Sequence, residues 1–128
     1  MSYTIDRIIT GASFEEVDAR TRTALAGKGF GVLTEIDVKA TMKKKIDKDM
    51  DDYRILGACN PNMAWQAIGM EAKVGAMLPC NVILRAVEGG VEVSAVDPIA
   101  SMAGIDNAEL KAVAGQVREM LSEVVAAV

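Results

Sequence analysis

The chain has no histidine, and its 128 residues include only two cysteines, three prolines and five aromatic side chains (Phe 2, Tyr 2, Trp 1). Without histidine, no Ser-His-Asp or Cys-His nucleophile pair can form within the chain. His-ligated zinc and haem are excluded for the same reason. Two cysteines without a C-x-x-C spacing could build a four-thiolate metal site only across two copies. Few aromatics also limit nucleic-acid chemistry, because the basic residues have only Tyr53 beside them and no interleaved stacking platform. The glycines spell neither a dinucleotide fingerprint nor a P-loop. Residues 1–6 carry no basic stretch followed by an apolar one, so no secretory signal is expected. The longest uncharged run, Ile55 to Met70, is interrupted by Asn60, Pro61, Asn62 and Gln66 and cannot span a bilayer. The expectation is a cytoplasmic chain with reduced thiols, no membrane contact and no nucleic-acid partner.

What is present suits a single globular domain over residues 1–128. Apolar residues make up 51% and charged residues 25%. Area scaling gives about 6,600 Å2 folded against roughly 20,000 Å2 unfolded, enough burial for a core without staples. The net charge of −4 argues against general phosphate-backbone binding. Charge is uneven, because Lys39, Lys43, Lys44, Lys45, Lys48 and Arg54 crowd into residues 37–54.

Hydrophobic periodicity predicts an α+β chain in the order β-α-β-α-β-α-β-β-α, two layers, with helices packed on an antiparallel or mixed sheet. Tyr3, Ile5 and Ile9 alternate with polar neighbours as an opening strand. Ser13-Phe14-Glu15-Glu16 is a capping box that starts a helix with Phe14, Val17, Ala24 and Leu25 on one stripe, closed at Gly27 and Gly29. Phe30 to Ile36 is a strand, and Asp37 caps a short Lys-rich helix with Val38, Met42 and Ile46 on one face. Tyr53 to Ala58 is the third strand. Asn60-Pro61 then reads as N-cap plus N1 proline. Glu71 to Leu78 is an irregular helical segment ended by Pro79. Val82–Val87 and Val91–Val96 flank Glu88-Gly89-Gly90 as a hairpin. Asp97-Pro98 ends it, and Asn107 caps a long helix with Leu110, Val113, Ala114, Val117, Met120, Leu121 and Val124 at helical spacing.

The two cysteines occupy related settings, Ala58-Cys59-Asn60-Pro61 and Leu78-Pro79-Cys80-Asn81. Cys59 precedes a helix N-terminus, where free amides and the helix dipole favour a thiolate. Whether the thiols meet depends on the segment between them. One unbroken helix from Pro61 to Leu78 would separate them by about 27 Å. A break at Gly69 with return through Gly75 and Pro79 brings Cys80 to the end of the sheet where Cys59 finishes, and this is the expected path. Buried, inert cysteines are the plain alternative. The Lys43–Lys45 run reads either as a solvated helix face or as a source of one lysine, Lys45, for an anionic ligand above Cys59. Met63, Met70 and Met77 recur every seven residues, which is either core packing or soft-metal ligation. Trp65 either faces a partner subunit, covers a pocket or packs in the core.

Tyr53 to Pro61, together with Val74-Gly75-Ala76-Met77-Leu78-Pro79-Cys80-Asn81-Val82, resembles the central signature of domain-of-unknown-function family 302. The resemblance extends to the opening strand and helix, Val32 to Lys45, Asp97-Pro98 and the last helix. It implies an α+β fold of TATA-binding-protein-like architecture and a homodimer, with no established activity. Its characteristic positions fall on Cys59, Asn60, Pro61, Pro79, Cys80 and Asn81. Fold likeness carries no inference of DNA binding.

The functional expectation is a homodimeric small-molecule-binding protein. Its cleft is lined by Cys59, Asn60, Cys80 and Asn81, with help from Lys45, and it holds a small anionic or sulfur-containing ligand. If a thiol reacts, Cys59 is the reactive one and Cys80 resolves it. No metal and no cofactor are assigned. The alternatives are a non-catalytic scaffold with structural cysteines and, more weakly, a thiolate metal or haem carrier.

Overall fold

Residues 2–128 are described by a computed structural model. The elements are β1 (Thr4–Ile9), α1 (Phe14–Ala26), β2 (Gly31–Asp37), α2 (Val38–Ile46), β3 (Tyr53–Cys59), α3 (Pro61–Met70), β4 (Cys80–Val87), β5 (Gly90–Val96), α4 (Pro98–Ser101) and α5 (Ala108–Ala127). A 3-10 turn at Val74–Met77 links α3 to β4. The five strands form one sheet in the order β1-β5-β4-β3-β2, and each neighbouring pair is antiparallel. The antiparallel form of the expected α+β fold is therefore the one adopted.

Local chemistry explains most boundaries. Ser13, Asp37, Asn60 and Asn107 each cap a helix by accepting a hydrogen bond from the backbone amide three residues on, at 2.9–3.3 Å. Glu88 and Gly89 join β4 to β5, with Gly89 at φ +85°, a conformation glycine adopts without a Cβ clash. Asp97-Pro98 does not simply end the hairpin. Asp97 Oδ1 accepts from Ile99 N at 2.9 Å and starts α4, a one-turn helix absent from the sequence-based order.

One face of the sheet is the core. Cross-strand pairs Ala58–Cys80, Leu56–Val82, Leu84–Val93 and Ile9–Val91 are all buried, because pairing in register puts both partners on one face. Val17 and Leu25 from α1 join Val113, Val117, Leu121 and Val124 from α5 above them. Each fully buried Leu or Val in this layer stabilises the fold by roughly 1.5–3 kcal/mol. The opposite face carries a cross-strand row of Ile36, Ile55 and Ile83, of which Ile36 is 47% exposed. The apolar stripe expected on α2 stays largely outside the core, and α2 buries none of its residues.

A charge network fastens α1 to β2 and β3. Arg54 donates to Asp18 at 2.9 Å and to Glu15 at 2.9 Å, and its guanidinium stands 5.0 Å from the centre of the Phe14 ring. Arg22 pairs with Asp18 at 2.7 Å and Glu35 at 3.0 Å. Arg7 donates to the Val125, Ala126 and Val128 carbonyls, and Arg20 donates to that of Val128. These bonds supply side-chain donors to carbonyls at the end of α5, where helix acceptors run short of amide partners. Among the described residues, no helix is long and apolar enough to cross a membrane.

Candidate functional site

The chain returns as the glycine and proline spacing predicts. α3 stops at Met70, the 3-10 turn reverses direction, and Ala58 pairs with Cys80 across β3 and β4. Both cysteines therefore stand at one end of the sheet. A cavity of about 30 Å3 opens there, room for one or two waters. Cys59 and Asn60 form its rim at the β3–α3 junction. Leu78, Pro79 and Cys80 form one wall, Met63 and Ala67 of α3 another. Val113, Ala114 and Val117 of α5 complete the lining together with Met102.

Among the described residues, no charged side chain lines this cavity, and Asn60 is the one carboxamide in it. Asn60 is already engaged at both ends. Its oxygen accepts from Met63 N at 3.3 Å, and its nitrogen donates to the Lys28 carbonyl at 3.2 Å. The residue thus ties the α1–β2 loop to the start of α3 while presenting its side to the cavity. The amides at this helix start are therefore not all free for the Cys59 thiol. The Asn60 cap takes the Met63 amide.

The two thiols differ. Cys80 is buried and belongs to the core. Its burial pushes the thiol pKa up to about 11, and the nearby Cys59 charge adds to the shift. A thiol with a raised pKa is a weaker nucleophile at neutral pH than an ordinary one. Cys59 is half-buried at the rim. Both are free thiols.

Two expected site residues lie elsewhere. Asn81 pairs with Gly57 on the face of the sheet opposite Cys80, is exposed, and does not line the cavity. Side-chain alternation along a strand accounts for this, because neighbours point to opposite faces. Lys45 is exposed on α2, which grows from Asp37 at the far end of β2 from the Cys59 partner Gly31. Its neighbour Lys43 pairs with Asp47 and Asp49, the solvated-face arrangement. Trp65 is 80% exposed, so it is not a core residue and does not cover the cavity.

Sequence reading missed Met102, Leu78 and the α5 wall as cavity residues. The spacing of the α5 positions marks a core stripe, and periodicity gives no sign of where a stripe stops short of its neighbours. Among the described residues there is no group of three or more Cys, Asp or Glu side chains arranged to hold a metal ion.

A search of curated proteins gave no match. The crystal structure of an uncharacterised conserved DUF302 protein from Bacillus stearothermophilus has the same fold, with a TM-score of 0.92 at 21% identity over 98% of each chain. The family model for the domain of unknown function DUF302 matches residues 7–128, and the chain belongs to that family.

Proposed function

We propose that the protein is a small-molecule-binding protein whose ligand enters the cavity beside Cys59, with sulfur carriage on that thiol as its chemistry. The observation that carries this reading is the lining itself: two free thiols and one carboxamide in an otherwise apolar wall, at the junction of sheet, α3 and α5. Such a wall disfavours a bare charge, which would lose its hydration without a partner. It suits a soft, weakly hydrated group such as a sulfane sulfur. The Cys59 thiolate would attack a terminal sulfur of a polysulfide. One S–S bond forms at Cys59, one breaks in the polysulfide, and the electron pair leaves on the shortened chain, so no outside oxidant is required.

Anaerobic incubation with sodium tetrasulfide followed by intact-mass spectrometry tests this. The native protein gains one sulfur atom, Cys59→Ser abolishes the gain, and Cys80→Ser retains it. No adduct on the native fold would instead support the scaffold reading, which has the burial of Cys80 and the capping by Asn60 in its favour.

The same proposal includes a homodimer. The chain exposes 7341 Å2, above the roughly 6,600 Å2 that area scaling gives for its mass. The excess includes Ile8, Leu33, Ile36 and Trp65, each at least 47% exposed. Light scattering is expected to give twice the chain mass, and Ile36→Lys is expected to lower it toward that of one chain. A monomeric mass at all concentrations counts against the dimer.

A further inference from the structure

Of the three methionines spaced seven residues apart, only Met63 reaches the cavity. Met70 and Met77 do not line it, and Met77 is 47% exposed. Met102 is the other methionine of the lining. The cavity is therefore bordered by four sulfur-bearing side chains, two thiols and two thioethers. Its volume of about 30 Å3 suits one unhydrated ion. The four are not equivalent. Met63 stands in the first turn of α3, four residues after Cys59, and packs against the core cluster that holds Cys80. Met102 belongs to the separate cluster of Ala67, Val74, Leu110 and Ala114. Harder donors are scarce. Among the described residues, no carboxylate lines the cavity, and the Asn60 carboxamide is engaged by the Met63 amide and the Lys28 carbonyl.

We propose that Cys59, Cys80 and Met63 form a three-sulfur site for a soft monovalent cation, copper(I). The inference rests on reading the cavity as a ligand site, and it adds a second occupant besides sulfane sulfur. Thiolate and thioether donors select copper(I). Zinc takes four ligands drawn from Cys, His, Asp and Glu, and the cavity offers only its two cysteines. On binding, two copper–thiolate bonds form and the Cys80 proton leaves to solvent. A cation offsets the desolvation that holds this proton in place, which a neutral sulfur ligand does not. Sulfane sulfur therefore uses Cys59 alone, whereas copper uses both thiols. The complex keeps one negative charge, borne toward the rim, where Cys59 is only half-buried.

Anaerobic titration of the whole protein with tetrakis(acetonitrile)copper(I), against the chelator bathocuproine disulfonate, is the test. The native chain is expected to hold one copper. Cys59→Ser and Cys80→Ser are each expected to lose at least about a hundredfold in affinity, beyond what outer-shell changes at a metal site cost. Met63→Leu, a swap that conserves volume, is expected to lose about tenfold, and Met102→Leu to bind as the native chain does. The two leucine variants keep the test decisive should Cys80→Ser fail to fold. The site is overturned if Cys80→Ser holds copper as tightly as the native chain, if the leucine variants bind alike, or if the chelator strips all the copper. Sulfur loading from tetrasulfide is read in the same proteins. Copper held by a chain that gains no sulfur sinks the sulfur reading alone. Sulfur gained on Cys59 without copper sinks this inference alone.

Discussion

Replacing Arg54 by alanine is expected to lower the unfolding free energy by about 3 kcal/mol, near the lower end for breaking a buried ion pair. Arg54 is 14% exposed and Asp18 10%, so most of each charged group is removed from water. Loss of the guanidinium also removes its contacts with Glu15, Glu35 and the Phe14 ring. Arg22 still holds Asp18, which keeps the cost from rising further. Arg54→Lys is expected to recover only part of the loss, because one ammonium cannot copy a planar fork shared among three carboxylates. The loss should shrink in an Asp18→Asn background, the mark of coupling in a double-mutant cycle. Acid should shrink it too. Burial alone would raise the Asp18 carboxyl, but hydrogen bonds and charges from Arg22 and Arg54 outweigh burial and hold it below the usual carboxylate range. A group with a lowered folded pKa stabilises the protein above its unfolded value and loses that contribution as pH falls through the folded value. The gap between wild type and variant is therefore full at neutral pH and narrows below about pH 4. Denaturant unfolding at the two pH values checks both parts. A loss under 1 kcal/mol at neutral pH contradicts the account.

Gly57→Ala is expected to cost a comparable amount, about 3 kcal/mol, the upper end for forcing a methyl group into occupied space, here on the Asn81 side of the sheet and not in the core. A methyl group there would land on the Thr34 hydroxyl and 2.8 Å from Pro79 Cγ. Gly57 is buried in the third of four cross-strand ladders, where its strand cannot shift without disturbing β2 and β4. Pro79 is a wall of the cavity, so this substitution also pushes the Cys80 wall aside. Adding Thr34→Ala should recover part of the stability, because the hydroxyl goes while Pro79 stays. Thermal unfolding of the single and double variants separates the two contacts. A single variant as stable as wild type would show that the strand end is looser than its packing indicates.

How far the sequence carries the structure differs by element. Strands and helices were legible wherever a cap or a period of 2 or 3.6 spoke alone, as with Asn60-Pro61 and the α5 stripe. The meeting of Cys59 and Cys80 was legible too, because Gly69, Gly75 and Pro79 break the intervening helix. α4 was not, because four residues are too short to show periodicity and Asp97-Pro98 signals a stop as well as a start. Asn81 was drawn into the site by its place in the motif, although strand alternation already sets it on the opposite face from its neighbour Cys80. Lys45 was drawn in by charge, which says nothing about which end of a strand a helix grows from. Met102 had no local signal at all. Its place in the cavity lining is a property of how α4, α3 and α5 meet.

The central claim is that one thiol, Cys59, meets the ligand while Cys80 is held protonated as part of the wall. Mapping where sulfur from tetrasulfide resides, by alkylating and digesting the native wild-type protein across a pH series, tests it most directly. The account predicts sulfur on Cys59 alone through the neutral range. Sulfur on Cys80 is expected only as pH approaches its raised value of about 11, or after unfolding. Equal loading of both cysteines at neutral pH in the folded protein would contradict it.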